Sequence, residues 1–399
     1  MDIQHDTAPA RSGTLAGRVA SLGTTVFAEM SALAREHGAV NLGQGFPDFD
    51  TPHELLEAHE RALRNGHNQY AVSQGEPSLR RAIADHAEHW YGQRIDPDRE
   101  ITVTSGATEG ILCTMLALVE PGDEVIVIEP FYDSYVPTIR WAGGTPVPVT
   151  LTAPDFRLDA EALRAAVTPR TRMIVLNTPH NPTGRVFDQS ELEGVAALCR
   201  DHDLLALVDE VYEHLVYAPS HHTRLATFDG MAERTVTLSS AGKSFSCTGW
   251  KVGWAIAPPA ITVGLRRAHQ FSVFATFTPA QHAVAEALAL PSSFFQQFVE
   301  EYTRRRNLLL DILQRSGFQA SAPQGSYFIL AGFAETGFTD STTLARALVT
   351  EAGVATIPPG SFYLDGARGA SLLRFCFCKQ ESTLLAAGER LEKWARRAR

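Results

Sequence analysis

The chain has 399 residues, of which 44% are hydrophobic, 9% aromatic and 20% charged. That length predicts two domains, and the apolar share excludes a disordered chain. Lys and Arg total 35 against 45 Asp and Glu, a formal net charge of -10. Nucleic acid and anionic membranes want a basic face, so neither is an expected partner. No apolar run approaches the ~20 residues of a membrane span. The start, MDIQHDTAPARSG, lacks the apolar middle of a signal peptide. Cys113, Cys199, Cys247, Cys376 and Cys378 are few, odd in number and scattered, so no disulfide framework is implied. A reduced, cytoplasmic protein is the expectation.

In chain order, the first clear element is a helix over Val26–His37, expected to pack with the C-terminal part. A strand then follows at Ile101–Thr104 (ITVT), a helix at Glu109–Val119 and a strand at Glu124–Ile128 (EVIVI). Further strands read at Arg172–Leu176 (RMIVL), Leu204–Val208 (LLALV) and Thr235–Leu238 (TVTL), with a helix over Ser190–His202. Each strand is short, apolar and bounded by turn or polar residues. Such alternation predicts a three-layer α/β sandwich, a mostly parallel central sheet with helices on both faces. The C-terminal part differs: a long helix over Phe294–Ser316 leads to strands at Ser326–Leu330 and Leu372–Phe377, a smaller α+β domain.

In open α/β sheets ligands bind beyond the carboxyl ends of the strands, so the residues that follow each strand matter. After ITVT comes Ser105-Gly106-Ala107-Thr108-Glu109-Gly110, a small-residue turn opening a helix, whose free N–H groups and dipole suit a phosphate. After RMIVL comes Asn177-Thr178-Pro179-His180-Asn181-Pro182-Thr183-Gly184, a rigid polar loop. Asp209-Glu210-Val211-Tyr212 follows LLALV, and Ser239-Ser240-Ala241-Gly242-Lys243 follows TVTL. Each alone has a bland reading: a Ser-Gly turn is usually only a turn, and a strand-end Asp is more often a helix cap. Their convergence points to pyridoxal phosphate chemistry. Lys243 would bind the cofactor aldehyde, Asp209 would pair with the pyridinium nitrogen and keep the ring an electron sink, and the Gly106 turn would hold the phosphate. Burial would lower the lysine pKa and let the amine shuttle protons.

At this point the sequence resembles the fold-type I pyridoxal-phosphate aminotransferases of class I/II, in the kynurenine/methionine branch. The resemblance is carried by NLGQGFPDF (Asn41–Phe49), NQY (Asn68–Tyr70), SGAT (Ser105–Thr108), EPFYDSY (Glu129–Tyr135) and NTPHNPTG (Asn177–Gly184). It continues through DEVYEHLVY (Asp209–Tyr217), SSAGKSFSCTGWKVGW (Ser239–Trp254), QGSYF (Gln324–Phe328) and LRFCFCK (Leu373–Lys379). It implies a large cofactor-binding domain over residues 46–288 and a small domain built from residues 1–45 and 289–399. It also implies catalytic roles for Lys243, Asp209 and Tyr212, with Asn181 and Tyr212 hydrogen-bonding the ring oxygen and Tyr132 stacking on the ring. Ser105, Gly106, Ala107, Ser240 and Lys251 would surround the phosphate, and Tyr70 would reach it from the other subunit of a homodimer. Arg374 would clamp the substrate α-carboxylate, a planar fork on a planar anion, with Gly45 offering backbone beside it. The resemblance also implies the branch: Lys251 stands where aspartate-type relatives place an arginine, and the kynurenine-like branch also has lysine there. An aromatic pocket of Phe27, Tyr70, Tyr132 and Phe274 would favour methionine, phenylalanine or kynurenine as donor to a 2-oxo acid. N-succinyl-diaminopimelate transamination and cysteine-conjugate β-elimination are the alternatives on the same scaffold.

Other signals carry less. Gly43-Gln44-Gly45 lacks the third glycine of a dinucleotide loop. Cys376 and Cys378 alternate along a strand with no second ligand pair, so packing is expected and no metal. His86 with His89, and His221 with His222, read as solvated surface, as does the Arg304-Arg305-Arg306 run unless it meets a dimer partner. Phe271, Phe274 and Phe277 recur every third residue and read as core, with one of them a candidate pocket wall. A transcription regulator on this fold would carry an N-terminal DNA-binding domain, and the motifs begin too near Met1 for one.

Overall fold

The computed structural model describes residues 14–398 apart from Ser21, and the MDIQHDTAPARSG segment lies outside them. Among the described residues twelve strands run in chain order. They are β1 (Val40–Asn41), β2 (Ile101–Thr104), β3 (Glu124–Glu129), β4 (Thr145–Thr150), β5 (Thr171–Asn177) and β6 (Leu205–Asp209). The rest are β7 (Thr235–Ser240), β8 (Gly253–Ile256), β9 (Gln319–Ala320), β10 (Phe328–Gly332), β11 (Val354–Ala355) and β12 (Leu372–Cys376). Seven of them form one sheet in the order β2-β8-β7-β6-β5-β3-β4. Only β8 runs against its neighbours; β3 to β7 pair in parallel.

Side chains alternate across the sheet with the period of two that a strand imposes. Ile126 and Ile128 of β3 pack with Ile174, Val208 and the helix Gln189–Asp201 on one face. Val125 and Val127 pack with Leu207, Val236 and the helix Ala107–Leu118 on the other. The three-layer α/β expectation holds. A separate cluster joins Met30 and Ala34 of the helix Val26–Glu36 and Leu42 to Ile312, Phe328, Phe375 and Leu391, so the N-terminal helix does pack with the C-terminal part. There, β9, β10 and β12 make an antiparallel sheet and β1 pairs in parallel with β11.

Several sequence expectations shift. The strand β4, TPVPVT, escaped because Pro146 and Pro148 interrupt the pattern; it is an edge strand, the place where missing N–H groups are tolerated. The strand expected at Ser326–Leu330 begins instead at Phe328, because Ser326 has a φ of 59°, outside the extended region. Phe271, Phe274 and Phe277 are not core: they are 91%, 41% and 55% exposed. The helix Pro259–Ser272 ends before Phe274, whose φ of 71° breaks the period. His86 is buried with its Nε2 2.8 Å from that of His214, and the half-buried His222 keeps its side chain covered, with Nε2 3.2 Å from Glu210, so neither imidazole is surface. Of the arginine run, Arg305 lies over the Phe49 ring and Arg306 over Tyr217; only Arg304 is a solvated face. Among the described residues no helix is long and apolar enough to cross a membrane.

Candidate active site

Four strand ends and one turn meet in a single cavity. It is lined by Gly106, Ala107, Thr108, Tyr132, Asn177, Asn181, Asp209, Tyr212, Ser240, Lys243, Thr248 and Lys251 among others. The helix Ala107–Leu118 starts at Gly106, with φ 75° and ψ 168° and no side chain capping the first turn. Its leading N–H groups are therefore free of side-chain partners and aim at the cavity, a ready anion site. A Cβ on Gly106 would sit 3.1 Å from Lys251 Nζ, so only glycine lets the ammonium lie against the turn. Lys251 itself holds a left-handed φ of 56°, and a Cβ on Gly253 would come within 2.7 Å of Ala107 N. The β8 backbone thus presses directly onto the turn. Ser240 Oγ accepts from Gly242 N at the start of the short helix that carries Lys243.

Asp209 ends β6, buried, with Oδ2 accepting from the Tyr135 hydroxyl at 2.7 Å. Burial raises its pKa against the opposing pull of that hydroxyl and the Val211 N–H. A buried carboxylate of this kind gains from a cationic N–H brought beside it. Burial also lowers the pKa of Lys243, whose Nζ stands 5.9 Å from the Tyr212 ring and 5.7 Å from that of Tyr327. Asn177 donates from Nδ2 to the Asp209 carbonyl and accepts from Asn181 N, which sets the loop after β5 against the end of β6.

Arg374 leaves β12 and is 2% exposed. It donates to Asn181 Oδ1 at 3.1 Å and to the Gly43 carbonyl at 2.9 Å, while its Nε has no partner. Phe328, Phe27 and Phe362 surround the guanidinium, their centroids 4.1, 5.0 and 5.2 Å from its carbon. An orphaned buried guanidine N–H among aromatic rings suits a carboxylate that arrives from outside.

The structure brings together Gly106, Ala107, Tyr132, Asn181, Asp209, Tyr212, Ser240, Lys243 and Lys251 as expected. Ser105, Gly45, Phe27, Tyr70 and Arg374 do not line this cavity; Arg374 adjoins it through its bond to Asn181. The Ser105 N–H is taken by Glu109 Oε2, and the Gly45 carbonyl accepts from the Tyr327 hydroxyl. Tyr70 is 85% exposed and meets Phe274 edge-on at 5.2 Å. Sequence reasoning missed Tyr135, Asn177, Thr108, Thr248 and Tyr327. Tyr135 lay within EPFYDSY, but nothing local tells that its hydroxyl meets Asp209. Behind the site, Glu213 accepts from Arg224, Tyr91 and Ser239. Its grouping with His86 and His214 resembles a metal site in composition, yet the guanidinium occupies the place of a cation.

The chain matches the family model for aminotransferase class I and II over residues 37–391. It is 47% identical over 391 residues to the "Probable N-succinyldiaminopimelate aminotransferase DapC" of Mycobacterium tuberculosis, covering 95% of this chain and 98% of that one. It is 40% identical over 376 residues to the methionine aminotransferase of Escherichia coli, covering 94% and 97%. The solved N-succinyldiaminopimelate aminotransferase of Mycobacterium tuberculosis superposes with a TM-score of 0.93 at 46% identity, covering 95% of this chain and 100% of that one. With such matches over a cavity of this composition, the chain belongs to the class I and II aminotransferases and is a pyridoxal-phosphate-dependent enzyme.

Proposed function

We propose that the turn before the helix Ala107–Leu118 would hold the cofactor phosphate, through the N–H groups of Ala107 and Thr108, Ser240 and the Lys251 ammonium. Asp209 would pair with the ring nitrogen, Asn181 and Tyr212 would hydrogen-bond the ring oxygen, and Tyr132 would lie against the ring face. The bound cofactor supplies the electron sink for chemistry at the substrate Cα. Lys243, neutral at lower pH than an exposed lysine, takes and returns the Cα proton. Arg374 orients the α-carboxylate, with Asn181 holding one of its nitrogens. Tyr135 fixes the Asp209 carboxylate in place.

The donor is a methionine-like or aromatic amino acid, and a 2-oxo acid accepts the amino group. One observation carries this reading: the guanidinium that would take the α-carboxylate is boxed by three phenylalanine rings. Phe27 and Phe362 stack at 5.8 Å and extend that apolar wall. Burying an apolar or thioether side chain there is favourable, whereas a second carboxylate would need its own cation. Asp133, half-buried with its pKa raised by desolvation, opposes a dianion further. The N-succinyl-diaminopimelate reading rests on the 47% identity to the mycobacterial relative. Donors compared by kcat/KM under one acceptor decide between them: aspartate or N-succinyl-diaminopimelate ahead of methionine, phenylalanine and kynurenine would refute the apolar pocket.

The working form is a homodimer. Tyr70, Phe271, Phe274 and Phe277 leave an apolar, solvent-facing wall beside the loop Asn68–Gly75, and a second copy that covers it would receive Tyr70 at its own phosphate turn. Within each chain, residues 46–288 form the large domain and residues 1–45 with 289–399 the small one. The shared core of the N-terminal helix and the C-terminal strands supports that division.

A further inference from the structure

Behind the Gly106 turn lies a buried pair that the reaction itself does not use. Glu109, in the first turn of the helix Ala107–Leu118, accepts from Ser105 N at 2.6 Å through Oε2. Its Oε1 accepts from His269 Nδ1 and from Ser272 Oγ, both at 2.7 Å. The other nitrogen of His269, Nε2, lies 2.7 Å from the Ser73 carbonyl. His269 is 0% exposed and Glu109 7%. A backbone carbonyl can only accept, and an ionised carboxylate can only accept. A neutral imidazole has one N–H and would leave one of these two short contacts without a proton.

We propose that His269 is a buried imidazolium that acts as a positioning residue, locking the phosphate turn through Glu109 and the Tyr70 loop through Ser73 into one unit. The pair neutralises itself, since the other titratable group against Glu109 is Cys113, whose thiol burial pushes up to about 12. The Tyr70 loop offers His269 the Ser73 carbonyl, the segment after its own helix the Phe274 backbone, and the helix itself the Ser272 hydroxyl, which is turned to Glu109. Burial pulls the His269 pKa down, but the Glu109 hydrogen bond and charge, together with the Ser73 carbonyl, leave it raised. Glu109 is lowered by the same partners against its burial. The lock is therefore complete below the ordinary histidine pKa and opens as pH rises through the raised one. Its consequence is geometric: Ser105 N–H is held by Glu109 and Gly106 N–H by the Thr104 carbonyl at 2.8 Å, so the leading N–H groups of Ala107 and Thr108 are left to face the anion. The Tyr70 loop is held in register with the same turn. This rests on reading that turn as the phosphate site, and the test separates the two.

Dissociation constants for pyridoxal 5'-phosphate and for pyridoxal, which lacks the phosphate, are measured by dialysis for the wild-type enzyme, Lys251→Ala and His269→Gln. Loss of a charge-assisted contact to the turn weakens the phosphorylated cofactor roughly tenfold and leaves pyridoxal within about twofold of wild type. Equal weakening of both in His269→Gln assigns it a general structural role and overturns the proposal. If Lys251→Ala shows no preference between the two cofactors, the phosphate reading itself falls. If Lys251→Ala shows it and His269→Gln does not, only the His269 proposal falls. The wild-type enzyme supplies an arm that needs no variant. In 15N-histidine spectra of the holoenzyme at pH 6.5, where an ordinary imidazole is half neutral, both nitrogens of His269 should carry protons in most molecules, and a predominantly neutral tautomer there would overturn the lock.

Discussion

The inner and outer halves of the active site are built on different terms. The inner half, Asp209, Tyr135, Asn177, Asn181 and Arg374, is at least nine-tenths buried and tied together by hydrogen bonds within one chain. The outer wall, Tyr70, Phe271, Phe274 and Phe277, is exposed: Tyr70 meets Phe274 edge-on and Phe277 meets His59. One chain therefore fixes the groups at its strand ends by its own hydrogen bonds, yet leaves its aromatic wall in water. Low-dielectric electrostatics requires a rigid, dry surround. An apolar wall of aromatic rings left in water is the kind of surface that the homodimer proposed above would cover.

The comparison can be broken from the inside first. Lys243→Ala should lower turnover on the order of a thousandfold or more, because the other amine of the cavity, Lys251, lies against the Gly106 turn. Wild-type turnover in that variant, measured without added amine, would remove Lys243 from the mechanism. Asp209→Ala should cost about 100- to 1,000-fold in kcat with a smaller loss of cofactor retention, and Asp209→Glu should recover part of it. A wild-type kcat in Asp209→Ala would end its role as ring partner. Arg374→Ala should raise KM for donor and acceptor alike, roughly 10- to 100-fold, the worth of a charged hydrogen-bonded fork. A rise confined to one of the two substrates would show that they bind differently.

The outer wall is tested by mixing. Tyr70→Ala should weaken the phosphorylated cofactor about tenfold. Co-refolded with Lys243→Ala chains, it should regain activity in mixed dimers that hold one intact site. No recovery, or a fully active monomer in sedimentation at assay concentration, would mean that the wall is not shared. The smallest effect on turnover is a pH signature of the inner half. His180 is buried and its pKa is lowered by burial to about 3. Below pH 6.5 the unfolded chain binds a proton there that the native state refuses, so stability falls with pH. Between pH 6.5 and 5 this amounts to about 2 kcal/mol. His180→Gln should flatten that part of the profile in denaturant titrations, and an unchanged slope would show the imidazole to be protonated in place.

The residues after each strand were legible in the sequence because that information is local. A short β-branched run followed by a small or polar turn places Lys243, Asp209, Asn181 and Gly106 at one edge of a parallel sheet, whatever else the chain does. Residues 372–376 read as a strand for the same reason, and Arg374 with them. Packing decided what those residues touch. Arg374 meets Asn181 across 193 positions and His269 meets Glu109 across 160, and no periodicity encodes such a meeting. Tyr135 and Tyr132 belong to one motif, yet only the fold tells which hydroxyl reaches Asp209. Local pattern also misled where tertiary context overrode it. The left-handed backbone at Ser326 and Phe274 moved a strand start and turned a hydrophobic period out to solvent. His86 and His222, polar by type, were drawn inside because Arg224, Glu210 and Glu213 formed a buried charge network around them. Sequence specifies which groups stand at the strand ends, since alternation and turns act over a few residues. Burial, pairing and exposure are properties of surfaces that meet only when the whole chain has folded, and these the tertiary structure alone decided.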